Sequence, residues 1–405
     1  MQNGKTENKE GIELLHRGSN QSGMRAYNER LVLTLVRRSG ALSKTAIAQK
    51  TGLSAQTVSV IMRALEADGL LERGEPVRGN VGQPSIPMSL ASKGAYFFGL
   101  KLGRRSSDLV LTDFMGTIIG QKHHTYDYPL PADIIDFTRE AAAELTELLP
   151  KTRRGRIAGL GIGMPFELWN WAELVGAPSA AIDVWRNIDM QAEVGALFDF
   201  PVYLQNDASA ACGAELVFGT LPDLQDFLYF FIGFFIGGGI TLQGSIYTGS
   251  SGNAGALGSM PVPDGRGGIC QLIDIASLST LQSMLGIPEQ LSSQQWDRPE
   301  DLPVDEDILR SWVGNAARAL AYAIVSASAV IDVQDALIDG WLPLPVRASL
   351  VEATRACLAD LNLSGVTAPR LREGTIGHNA RALGAASLPL SQRFLVHRNA
   401  VMKES

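Results

Sequence analysis

The stretch Ser43–Gly74, SKTAIAQKTGLSAQTVSVIMRALEADGLLERG, decides how the front of this chain folds. Ser43 is placed to cap a short helix that carries Ala46, Ile47 and Ala48 and stops at Gly52. After a turn at Leu53, Ser54 is placed to cap another helix reaching Asp68-Gly69. Within it Val58, Ile61, Met62 and Leu65 fall at i, i+3, i+4 and i+7, one apolar stripe that must pack inward. The opposite face carries Gln56, Thr57, Ser59 and Arg63. Upstream, Asn28 precedes Glu29–Arg38, where Leu31, Val32, Leu35 and Val36 recur at helical spacing until Ser39-Gly40 ends the run. Downstream, Leu70–Arg73 and Ser85–Leu90 read as short extended pieces around a glycine-rich tip, GEPVRGNVGQP.

Three short helices with a tight turn before the third, followed by a two-stranded wing, predict a winged helix-turn-helix over residues 24–91, with residues 1–23 as a flexible arm. A third helix that exposes Ser, Gln and Thr in its first turn offers side chains and free backbone N–H groups to base edges and phosphates. The candidate DNA contacts are therefore Lys44, Thr45, Ser54, Gln56, Thr57, Ser59 and Arg63, with Arg78 and Gln83 on the wing. The blander reading is a helical protein-interaction module. The wording of this segment resembles bacterial transcription regulators along its whole length. Val60 stands where such helices often carry Arg, so guanine recognition from that position is lost.

Charge agrees with this division. Residues 1–90 hold 12 Lys and Arg against 8 Asp and Glu, a net of +4, and the remainder carries −11. A basic head on an acidic body suits a head that meets an anionic polymer. The overall charge of −7 excludes a protein that coats nucleic acid along its whole surface. With 45% hydrophobic and 19% charged residues over 405 positions, the chain has ample core for two or three compact units. Three scattered cysteines, Cys212, Cys270 and Cys357, argue against a disulfide scaffold and for a reducing, cytosolic setting. The opening residues lack the pattern of a secretory signal. The greasiest stretch, Phe227–Ile240, contains four glycines and falls short of the roughly 20 apolar residues that span a bilayer. No membrane segment is expected.

From residue 94 to about 390 the pattern alternates. YFFGLKL, SSDLVLTDF and GTIIGQKHH predict a three-stranded meander, Pro131–Leu149 a helix and IAGLGIGM a buried strand. PVYLQND predicts another strand, Ala208–Val217 a helix, and FLYFFIGFFIGGGITLQGSIY a hairpin with a glycine-rich bend. A long alanine-rich helix over Asp305–Ile331 precedes the strand DALIDGWL and a further helix. A meander followed by alternation, occurring twice, predicts an α/β body of two lobes with a cleft between them.

Three segments, LQNDASAACGAELVFG (204–219), IGGGITLQGSIYTGSSGNAGALGSM (236–260) and GTIGHNARALGAASL (374–388), carry a resemblance to the actin-like ATPase and sugar-kinase fold. More narrowly the chain resembles the ROK family, whose name joins repressors, open reading frames and kinases. A winged helix-turn-helix ahead of such a body, here 94–395, is the arrangement of the repressor branch. The resemblance implies a sugar cleft in which Asp207, beside Asn206, takes the place of the general base. A helix N-cap is the common alternative role for such a pair.

The same resemblance implies that the kinase chemistry is lost. Where the family's first phosphate loop carries an Asp and a Thr, this chain reads Leu100–Arg105, without carboxylate or hydroxyl. In the second loop Phe234 replaces the Thr and Phe235 the following Gly, although the run Gly237–Gly239 remains. The family's zinc ligands, a His and three cysteines, are reduced to Ser259 in the His position and Cys270, so no metal or other cofactor is expected. The sugar-binding Glu and His are also missing from Gly255–Ser259. Ile273, with Asp274 adjacent, stands at a second Glu position, and Ser179 stands where the family offers an Asn. Losing several fixed partners at about 1 kcal/mol or more each makes the usual hexose a poor ligand. The expected ligand contacts are Ser179, Asn206, Asp207 and Ser259, framed by one or two of Phe166, Trp169, Trp171 and Trp185, with a sugar or sugar derivative as effector.

The sequence thus predicts a ROK-type repressor of carbohydrate-related genes, without catalysis, on double-stranded operator DNA. Paired recognition helices on a palindrome call for a homodimer or homotetramer. Two alternatives stay open: a sugar kinase with a DNA-binding head, and a regulator that needs no effector or answers to a protein.

Overall fold

The computed structural model describes residues 21–76, 85–171, 176–221, 223–287, 299–301 and 305–396. At the front, the caps fix where the helices begin. Helix α1 spans Gln21–Ser39, α2 Lys44–Thr51 and α3 Ala55–Ala67. The Ser43 hydroxyl accepts from the Ala46 amide at 3.1 Å, and the Ser54 hydroxyl from the Thr57 amide at 3.1 Å. Gly52 closes α2 at φ 72°, in the left-handed region where a side chain is strained. Val58, Ile61, Met62 and Leu65 are buried.

α1 differs from the expectation. It already runs through Gln21–Tyr27, so Asn28 is not its cap and the last three residues of the predicted arm are helical. An Arg25–Glu29 pair at 2.9 Å stitches the turn across Asn28. The rest of the arm, residues 1–20, lies outside the described residues. Strands β1 (Leu71–Arg73) and β2 (Met88–Leu90) pair antiparallel as the base of the wing. The wing tip, with Arg78 and Gln83, also lies outside the described residues.

Two sheets on one plan follow. In the first lobe β3 (Tyr96–Leu102), β4 (Ser106–Thr112) and β5 (Ile118–Thr125) form an antiparallel meander, and α4 (Pro131–Glu147) returns the chain. β6 (Ile157–Met164) and β7 (Val202–Asn206) then add parallel to β3, giving the order β5-β4-β3-β6-β7. Helix α5 (Asp207–Phe218) leads to the second lobe. There β8 (Phe227–Ile232), β9 (Gly237–Leu242) and β10 (Ser245–Ile246) repeat the meander, followed by the small hairpin β11 (Pro261–Pro263) and β12 (Ile269–Gln271). Helix α6 (Glu306–Ile331), β13 (Asp335–Gly340), α7 (Leu344–Ala359) and β14 (Arg370–Glu373) complete the order β10-β9-β8-β13-β14. α8 (Ala380–Phe394) then returns to the first lobe.

The cores explain these elements. Phe98, Leu100, Leu111, Ile134, Leu145 and Ile162 fill the first lobe, and Leu228, Phe230, Trp312, Leu320, Ile324 and Ile338 the second. α6 is long and apolar enough to cross a membrane by length and composition alone. In the fold it lies on the second sheet, with the indole N–H of Trp312 donating to the Ser277 carbonyl at 3.1 Å.

The head does not hang free. Val32, Leu33 and Val36 of α1 share one core with Phe97, Phe114 and Leu390 of the body. Arg37 donates to the Phe114 carbonyl and lies over the rings of Phe114 and Phe218, 5.2 and 5.8 Å from their centroids. Burial pulls this guanidinium down to about 10. At the other end of the joint Arg156 donates to the Asp68 carbonyl, just past α3, at 2.9 Å and to the Gly94 carbonyl at 2.6 Å.

Candidate functional site

The cleft between the lobes has a volume of about 1820 Å³ and walls from both sheets. Its floor is built where β7 turns into α5. The Asn206 side-chain carbonyl accepts from the Ala208 and Ser209 amides at 3.1 and 3.2 Å, so Asn206 caps α5 while standing in the cleft wall. Asp207 opens the helix, where the dipole favours a carboxylate. Its Oδ2 lies 3.2 Å from Arg381 Nη1 at the start of α8. Arg381 also sits over the Phe231 ring at 5.0 Å, and its Nε is buried without a hydrogen-bond partner.

This Asp207–Arg381 pair is the feature that sequence reasoning missed. Arg381 stands within the quoted 374–388 segment, and a basic residue there was the available signal. Asp207 and Arg381 together offer acceptors and donors to a polyhydroxylated ligand.

The other predicted contacts divide. Ser259 is exposed on the cleft wall, in the turn Leu257–Ser259. Ser179 does not join them: it opens the short helix Ser179–Asp183, is exposed to solvent, and is absent from the described cleft wall. Pro178 precedes this helical turn, and Ser179 at its start faces solvent rather than the cleft position that the family resemblance implies. Phe166 and Trp169 line the cleft half-buried. Trp185 lines it too but is a core residue, its indole N–H donating to the Pro129 carbonyl at 3.0 Å. The Trp171 side chain lies outside the described residues.

The far half of the cleft holds the two degenerate loops. Lys101 Nζ lies 3.1 Å from both Asp108 Oδ2 and Ser106 Oγ. Burial lowers the Lys101 ammonium's affinity for its proton. Burial would raise Asp108, but the Lys101 charge and the His123 imidazole, 2.6 Å away, outweigh it and hold the carboxyl well below the usual range. From the first loop Arg104 reaches across and lies over the Phe234 ring of the second, 3.5 Å from its centroid. Phe235 packs edge-on against Phe234 at 4.7 Å. The surviving glycines serve packing: a Cβ at Gly239 would lie 2.5 Å from the Cβ of Cys212 in α5.

The donor set at the family's zinc position does not fit that metal. Cys270 Sγ lies 3.8 Å from the Val262 carbonyl across the β11–β12 hairpin, and Ser259 offers only a hydroxyl. Among the described residues no three His, Cys, Asp or Glu side chains cluster as metal ligands. The hairpin turn is held by Asp264 instead, whose carboxylate accepts from the Arg266 and Gly268 amides at 2.7 and 2.8 Å.

On the head, Lys44, Thr45, Ser54, Gln56 and Arg63 are exposed, while Thr57 and Ser59 are half-buried. The Ser54 and Thr57 hydroxyls bond each other at 2.8 Å, and Arg63 Nε donates back to the Ser59 carbonyl at 3.2 Å.

Comparison with known proteins decides the family. The model of the ROK family matches residues 97–392, most of the chain. The chain belongs to the ROK family. A model of the MarR family matches residues 27–79, ahead of the ROK body. A xylose repressor from Bacillus spizizenii is 27% identical over 244 residues, which are 60% of this chain and 62% of that protein. The match thus spans less than two thirds of the relative's length. Among solved structures, a ROK family transcriptional regulator described as a homologue of the E. coli MLC protein superposes with a TM-score of 0.65 at 18% identity, over 92% of this chain and 97% of the other. A ROK family glucokinase from Streptomyces griseus, solved with glucose and AMPPNP, superposes over 73% of this chain and 99% of the other, with a TM-score of 0.54 at 19% identity. The fold therefore serves proteins named as regulators and as kinases.

Proposed function

We propose that this chain is a transcriptional repressor of carbohydrate-related genes. Its head, residues 24–91, binds double-stranded operator DNA, and its ROK body, residues 94–395, receives a sugar or sugar derivative. The observation that carries this reading is the face of α3: Gln56 and Arg63 stand exposed while the opposite stripe is buried, and the body leaves that face uncovered. A helix presented in this way fits a major groove. One head offers little affinity alone, so the protein acts as a homodimer or homotetramer on paired half-sites.

Phosphoryl transfer is not part of the proposed activity. Arg104 stacked on Phe234 fills the region where nucleotide phosphates would need hydroxyls and backbone amides, and Asp207 is paired with Arg381. The three free cysteines suit a reducing compartment, and burial pushes the Cys212 thiol up to about 12, too high for ready oxidation.

Footprinting on the protein's own upstream DNA tests the DNA reading. A protected palindrome is expected, Gln56→Ala with Thr57→Ala should reduce the preference for it over other DNA, and Arg78→Ala should weaken all DNA similarly. The absence of any protected site overturns the proposal. Calorimetry against sugars and sugar acids tests the effector, and ADP release with a hexose panel tests for the kinase alternative.

A further inference from the structure

α3 carries an apolar group where a polar one would be the ordinary choice. Val60 is 47% exposed, one helical turn after Gln56 and one before Arg63 on the same outward face. The inward stripe is complete without it, because Val58, Ile61, Met62 and Leu65 already fill the head core. The polar groups around it are largely committed. Ser54 and Thr57 bond each other, Ser59 is half-buried, and Arg63, one turn beyond Val60, gives its Nε to the Ser59 carbonyl. Beyond the short Ala55, Gln56 and Val60 are thus the exposed side chains in the first two turns of α3 that remain to meet bases.

The two have different complements in a major groove. A Gln pairs bidentately with adenine N6 and N7, whereas the apolar feature a Val can meet is the thymine 5-methyl. Four residues of helix advance about 6 Å, which is about two base-pair steps. We infer that Val60 is a specificity-determining residue that packs on the 5-methyl group of one thymine in each half-site, within about two base pairs of the base chosen by Gln56. This inference rests on the DNA-binding reading above.

The experiment starts with the full chain and a randomised duplex library, from which bound sequences are selected and the half-site read. Each thymine of that half-site is then replaced by deoxyuridine, which removes the methyl and nothing else. Loss of one buried methyl corresponds to about a fourfold weakening, and it is expected at a single position per half-site. Val60→Ala should bind the thymine site more weakly and lose most of its sensitivity to uridine at that position, while retaining the base preference that Gln56→Ala removes. Because Val60 is outside the core, thermal unfolding of Val60→Ala should match the wild type. Val60→Thr, which keeps one methyl, should fall between.

A library that yields no enriched sequence overturns the DNA reading and this inference with it. An enriched half-site with no uridine-sensitive thymine overturns the inference alone. So does a Val60→Ala variant that keeps the full wild-type sensitivity, or a sensitive thymine more than a few base pairs from the Gln56 position.

Discussion

At the scale of single residues, the chemistry turns on charges that found partners. Asp207 and Arg381 are 14% and 23% exposed, so each shields the other from an unpaired, largely buried state. Asp207→Ala and Arg381→Ala should each destabilise by about 1–2 kcal/mol and weaken effector binding. The double variant should lose less than the sum of the two, as a double-mutant cycle by chemical denaturation would reveal. Glu215 gives a pH signature. Burial raises its carboxyl above the ordinary 4.5, and the hydrogen bonds from the Thr375 amide and hydroxyl, at 2.8 and 2.7 Å, offset only part of that shift. A group whose folded value is raised lends stability below its unfolded value and loses it as pH climbs through the folded one. From pH 4.5 upward, wild-type stability should therefore decline relative to Glu215→Gln, whose profile should be flatter. A parallel pair of profiles would show that Glu215 does not titrate in this way.

Elements in this fold meet at glycines. A Cβ at Gly384 of α8 would overlap the Ala210 carbonyl of α5, and one at Gly161 of β6 would overlap the Ala385 carbonyl. Backbones approach this closely only without side chains. On an exposed helix, Gly→Ala stabilises by about 1 kcal/mol through propensity. At Gly384 the overlap wins, and Gly384→Ala should cost about 1–3 kcal/mol or more. Gly314 of α6 has nothing within 4 Å of an added Cβ, so Gly314→Ala should raise the thermal midpoint instead. Thermal melts of the two variants side by side check both signs. The elements themselves were well marked in the sequence. Ser43, Gly52 and Ser54 delimit α2 and α3 as their caps dictate, and IAGLGIGM is β6 from end to end. α1 was less legible, because its upstream half carries no cap signal that outweighs simple propagation of the helix.

At the scale of the molecule, two helices connect the cleft to the head. α5 begins at Asp207 and ends at Phe218, under Arg37, and α8 begins beside Arg381 and ends at Phe394, packed edge-on against Phe97 and Phe114. The far side of the joint is the Arg156 clamp on the end of α3. Removing it leaves the head less well oriented before DNA arrives, so ordering must be supplied on binding. Arg156→Ala should weaken operator binding about threefold to tenfold, measured by fluorescence anisotropy, with effector affinity of the body unchanged. Unchanged operator binding would mean that Arg156 does not set the head's orientation.

The sequence by itself determined what short-range physics can encode. Caps, apolar periods and glycine positions specify the helix-turn-helix and the strands, because each depends on residues within a few turns of one another, and the family resemblance added the loss of the phosphate-loop hydroxyls. Only the tertiary structure decided which loops face each other. Arg381 meets Asp207 across 174 positions of chain, Arg104 covers Phe234 from the opposite lobe, and Ser179 lies outside the cleft wall where the family resemblance put it. Such contacts leave no period or spacing in the chain. They arise when two sheets of the same plan close on one cleft and bring together side chains that have no local reason to meet.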